Sequence, residues 1–252
     1  MNRKLTFLAV VVFSTVAAVL PSWAYELDRE LQREQDKGHY AQVIAKIKAA
    51  LSAQPDRSDC LPLTERLADC YEAVGQFRRA ADEWDDVSVK VTLAVHDIEP
   101  GIALREIHET QLPAQGHIAM CLCLVGRSAE GARRLAEFVA TIRSEYSRDG
   151  EPLALLEPLA RCYIIQAVCL TRLGKRVEAA AAIREATVKA EHHEQAACLQ
   201  TARDLRHRKR YCAASFWYDA ARLMPGSVDP ATIAKEATAC KRLQPKGTDV
   251  PK

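Results

Sequence analysis

Glycine and proline are scarce in this chain of 252 residues, at ten and eleven, and aromatic side chains make up only 6% of it. That poverty excludes collagen-like and low-complexity classes, whose composition is dominated by the two turn formers. Alternating β-branched stretches of strand length are almost missing outside the first twenty residues, which argues against a sheet. The sequence also lacks a Gly-x-Ser-x-Gly elbow, a glycine-rich phosphate loop, Cys-x-x-Cys, Cys-x-x-Cys-His and His-Glu-x-x-His. It therefore offers no nucleophile, nucleotide or metal signature at a diagnostic spacing.

A net charge is missing as well. The formal value of +2 rests on Arg3 and Lys4, and these belong to an apparent leader. "MNRKLTFLAVVVFSTVAAVLPSWAYE" has the basic start, the apolar run from Leu5 to Leu20 and the small residues Ser22 and Ala24 of a cleavable secretory signal. The run is short of the roughly 20 residues that cross a bilayer comfortably. The reading is a signal peptide over 1–24, cleavage before Tyr25, and a periplasmic or secreted product with no stable membrane insertion; an uncleaved anchor is the alternative. The mature chain is then neutral, which speaks against nucleic acid as a partner, since phosphate binding needs clustered surplus Lys and Arg. Charge is nonetheless uneven: residues 25–100 carry six more acidic than basic side chains, and residues 201–252 six more basic than acidic.

What is abundant is alanine and leucine in a recurring plan. "LADCYEAVGQFRRAADEW" sets Ala68, Tyr71, Gly75, Ala80 and Trp84 at regular intervals. "IAMCLCLVGRSAEGARRL" places Cys121 and Gly126 where the first has Cys70 and Gly75, and "QAVCLTRLGKRVEAAAAI" repeats this with Cys169, Gly174, Ala179 and Ile183. "TARDLRHRKRYCAASFWYDAARLMPG" keeps Leu205, Tyr211, Ala214 and Tyr218 in step with Lys209 in the glycine slot, and "LQREQDKGHYAQVIAKIKAALSAQP" adds a unit around Gly38. Each unit predicts a helix ending at a residue with positive φ, a tight turn and a second helix. The alanines fall where two helices must come close.

The pattern resembles the tetratricopeptide repeat, best at Leu67-Ala68, Tyr71, Ala80 and Trp84. Turn residues 38, 75, 126, 174 and 209 lie 37, 51, 48 and 35 apart, against about 34 in that family, so the middle units need longer helices or an inserted one. The resemblance implies an all-α fold: a right-handed α-solenoid of about five antiparallel helix pairs over 25–243, a capping helix near 229–243, and a loose tail over 244–252.

Nine cysteines in an exported chain point by default to oxidation, and an odd number leaves one over. Cys70, Cys121 and Cys169, however, share a slot where the family places alanine, and a buried thiol serves there as a small hydrophobe. The cluster "EHHEQAAC" puts only Glu194 and Cys198 on one helix face, too few for a metal, and reads as a solvated turn. No metal and no cofactor is expected.

The resemblance implies a binding groove lined by the first helix of each pair. Its floor would be acidic at Asp28, Glu65, Asp69 and Glu72, apolar at Met120, Leu124, Ile164 and Val168, and basic at Arg203 and Arg206. The apolar middle can instead be core, covered by the longer helices or the cap. The functional expectation is a non-catalytic interaction or scaffold module that captures a peptide or protein of unstated identity. The alternatives are self-association, with acidic first units docking on basic last ones, and a cysteine-dependent redox or enzymatic protein.

Overall fold

The computed structural model describes residues 22–53, 60–95, 107–146, 153–189 and 194–244. The expected leader up to Pro21 and the tail from Pro245 lie outside these. The chain is all-α, and the described residues contain no strand. In order come α1 (Ser22–Asp36), α2 (Tyr40–Ala53), α3 (Leu61–Ala73), α4 (Phe77–Val95), a π-helical turn (Ile107–Gln111), α5 (Leu112–Leu124) and α6 (Ser128–Tyr146). Then follow α7 (Leu153–Arg172), α8 (Arg176–Lys189), α9 (Glu194–His207), α10 (Tyr211–Leu223) and α11 (Pro230–Arg242).

Five hairpins are closed by one device. Gly38, Gly75, Gly126 and Gly174 have φ of 80, 77, 85 and 74°, and Lys209 takes the same left-handed conformation at 60°. At each, the following amide reaches back five residues to a helix carbonyl: His39 to Glu34 at 3.0 Å, Gln76 to Tyr71 at 2.9 Å, Arg127 to Leu122 at 2.8 Å, Lys175 to Leu170 at 3.0 Å and Arg210 to Leu205 at 2.8 Å. This is the bond of a Schellman close, and it satisfies carbonyls that the ended helix leaves orphaned. The residue after the turn accepts the first amide bond of the second helix.

The small residues sit where two helices meet: Ala68, Ala80, Ala167, Ala202 and Ala214 are wholly buried, and Ala179 nearly so. The α5–α6 approach is tight at Gly131, where a Cβ would stand 2.8 Å from the Ala119 carbonyl oxygen. Longer helices contribute to the wide middle spacing, α4 and α6 having 19 residues and α7 having 20, and the π-helical turn before α5 adds five more. Pro62 and Pro113 open α3 and α5, where their missing N–H costs nothing. Asp229 caps α11, its carboxylate accepting from the amides of Ala231 at 3.2 Å and Thr232 at 3.1 Å.

The first four hairpins pack in chain order, α2 on α3, α4 on α5 and α6 on α7. The fifth departs from that order, because α10 lies against α7 and also α5, while α11 covers its other side. From Cys212 to Tyr218 every residue of α10 is buried. The α7 helix is long and apolar enough by composition to cross a membrane, yet it is packed between α5, α6, α8 and α10.

Candidate functional site

Two residues of the expected acidic floor, Asp69 and Glu72, are paired inside the chain with Arg210, which was not among the expected site residues. Glu72, in the last turn of α3, is 3% exposed. Its Oε1 accepts from Trp84 Nε1 at 2.8 Å, pairs with His117 Nδ1 at 2.7 Å and receives a weaker bond from the Cys121 thiol at 3.6 Å. Its Oε2 accepts from Arg210 Nη2 at 3.0 Å. The second terminal nitrogen of Arg210, Nη1, pairs with Asp69 Oδ1 at 2.7 Å. The Trp84 and His117 rings stack, 4.5 Å between centroids.

Each partner is placed by a turn or a helix period. Asp69 and Glu72 are three residues apart on one face of α3. His117 and Cys121 are four apart on α5. Arg210 directly follows the left-handed Lys209, so the close of the fifth hairpin fixes where its side chain starts. Burial alone would push the Glu72 carboxyl up; His117, Arg210 and Trp84 outweigh it and hold it below its ordinary value. The same carboxylate adds to burial in pushing the Cys121 thiol well above a normal cysteine. A carboxylate beside a buried thiol suppresses the thiolate, the opposite of what activates a nucleophile. The cluster is an interior ion-pair knot that ties the fifth hairpin to the second.

The other expected site residues are dispersed. The side chain of Asp28 lies outside the described residues, and Glu65 is half-buried on α3. Met120, Leu124, Ile164 and Val168 are 2, 3, 3 and 1% exposed, so the expected apolar floor is interior. The physical reason is α10, which lies against the two helices that carry these four residues, with Trp217 and Met120 lining one small cavity. Arg161 lies over the Trp217 ring at 5.1 Å and Arg172 over Phe216 at 5.6 Å. Arg203 is exposed but engaged, donating to both oxygens of Glu236 at 3.1 and 2.8 Å. Arg206 is half-buried beside Tyr218, whose hydroxyl also donates to Glu236 at 3.0 Å.

A different feature is open. Between α7 and α9 runs a cleft of about 550 Å³ with Ala160, Ile164 and Trp217 among its lining residues. Glu194, the first residue of α9, faces it and is 2% exposed, and neither of its carboxylate oxygens has a hydrogen-bond partner. The sequence pattern placed Glu194 in a solvated turn. It is the one buried carboxylate among the described residues with both oxygens unpartnered.

Among the described residues no three His, Cys, Asp or Glu side chains converge as metal ligands. Among the described residues all nine cysteines are buried and none is joined in a disulfide, so the oxidation that export suggests by default is not seen. No protein-family model, curated protein or solved structure matches the chain.

Proposed function

We propose that the chain is a non-catalytic interaction module of the tetratricopeptide-like kind. In this reading it is a right-handed ribbon of helical hairpins whose fifth pair folds back over the inner wall. A partner protein's segment then docks not in the middle of that wall but in the cleft left between α7 and α9. The repeated Schellman closes and the chain-order packing of the first four hairpins support the architecture. The observation that carries the binding reading is the cleft itself. At about 550 Å³ it falls in the size range of ligand sites, and its lining joins apolar side chains such as Leu156, Ile164 and Trp217 to charged ones such as Arg161 and Glu194.

The leader over 1–24 supports export to the periplasm or the medium. N-terminal sequencing of the mature product is expected to start at Tyr25. Docking is tested by a photocrosslinking side chain placed at Leu156, on the cleft, and at Ala180, on the exposed face of α8. A discrete adduct from position 156 and none from 180 is expected. Equal adducts from both positions, or none from either, overturn the reading. Head-to-tail association through acidic and basic ends is not favoured, because Asp69 and Glu72 are already paired with Arg210 within the chain.

A further inference from the structure

We infer that the cleft between α7 and α9 receives a lysine or arginine side chain presented by an apolar segment of a partner protein, and that Glu194 is the group that pairs with it. The inference rests on the reading of this chain as a binding module and names the chemistry of its ligand.

Glu194 carries the argument. A carboxylate 2% exposed, with neither oxygen hydrogen-bonded, is an unfavourable arrangement unless something supplies the missing partner. Its place at the first residue of α9 gives it the favourable end of the helix dipole, which steadies a negative charge there but fills neither oxygen's lone pairs. The charged side chains around the cleft are Glu157, Glu194 and Asp204 against Arg161 and Lys189. Arg161 is already laid over the Trp217 ring. The acidic groups are in surplus, so an incoming anion meets repulsion, and a neutral apolar group only seals Glu194 further from water without a partner.

A basic side chain resolves both. Its ammonium or guanidinium donates to Glu194 in a charge-assisted bond, and its methylene stem covers the wall made by Ala160 and Ile164. Leu153 stands at the lip, 85% exposed, and Leu156 lies behind it. These leucines are the natural contact for apolar neighbours of the inserted residue. The volume suits one long side chain with its flanks rather than a whole helix.

The test uses the full mature chain and fluorescence anisotropy with three short leucine-rich peptides that differ at one central position: lysine, norleucine or glutamate. The lysine peptide is expected to bind about tenfold more tightly than the norleucine one and the glutamate peptide weakest. Glu194→Gln is expected to bring the lysine peptide down to the norleucine level with no loss of thermal stability. Leu153→Ser, at an exposed position, is expected to weaken all three. If lysine and norleucine bind alike, or glutamate binds best, while Leu153→Ser still weakens them, the inference about the basic group falls and the cleft reading stands. If no peptide binds, or Leu153→Ser changes nothing, both fall together.

Discussion

Arg210 reaches Glu72 across 138 positions of sequence, its guanidinium nitrogen 3.0 Å from the carboxylate. Both side chains are buried, so each is the other's substitute for water. Arg210→Met is expected to cost about 3–5 kcal/mol, the range for leaving one member of a buried pair unpaired. Adding Glu72→Gln in the same chain is expected to recover most of that. Urea unfolding midpoints of the two single variants and the double variant decide it. An additive double variant would show that the two groups are not coupled.

Acid should open the same knot. Glu72 titrates below its ordinary value in the folded chain because His117, Arg210 and Trp84 outweigh its burial. A depressed native value stabilises the fold above the unfolded value and loses that contribution as pH drops through the native one. Stability is therefore expected to fall on acidification below about pH 4.5, and the Glu72→Gln/Arg210→Met chain is expected to fall less steeply. The check is the melting temperature of both chains from pH 7 to pH 3.

Backbone geometry gives a pair of opposite effects. Lys209 holds a left-handed conformation that the other four turns assign to glycine, at a cost of about 1–2 kcal/mol for a residue with a Cβ. Lys209→Gly is expected to stabilise by about 0.5–1 kcal/mol, after the added freedom of the unfolded glycine is taken off. Gly131→Ala is expected to destabilise by about 1–3 kcal/mol, since its Cβ would press on a backbone oxygen that cannot swing away. Chemical denaturation of both variants reads the two signs.

One thiol should react unlike the rest. The Cys123 sulfur is drawn below its ordinary value by the neighbouring Cys169 thiol, with Arg172 and the Ser128 hydroxyl, 3.3 Å away, adding to it against burial. Burial pushes Cys70, Cys162 and Cys198 up to about 12 and Cys240 to about 11. Alkylation followed by mass spectrometry is expected to modify Cys123 first, and at a slower rate in Arg172→Gln. Uniform labelling of all nine at one rate would contradict it.

The turns were legible in the sequence down to the residue, including Lys209, because a left-handed close demands a particular slot at a particular distance from the helix it ends. The alanine slots were legible for the same local reason, since they set how two adjacent helices touch. The placement of α10 was not, because periodicity inside a hairpin says little about where that hairpin lands. A signal did exist: "IAMCLCLV" in α5 and "CAASFWY" in α10 are apolar or small on every side, and a helix without a polar face is enclosed on every side. Read that way, Met120 and Leu124 belong to the interior. Glu194 gave no such sign, because a carboxylate after "EHH" looks wet, and only the packing of α9 takes it out of water.

The return of the fifth hairpin has a consequence for how the molecule comes into being. A string of stacked repeats can gain order one unit at a time as the polypeptide emerges. Here the wedge that seals α5 and α7 is made almost last, so the oily sides of both helices stay bare until nearly the whole polypeptide is out. During that interval the nascent protein is sticky and in need of protection. Once the wedge seats, the Arg210 pairing with Asp69 and Glu72 links the last hairpin to an early one.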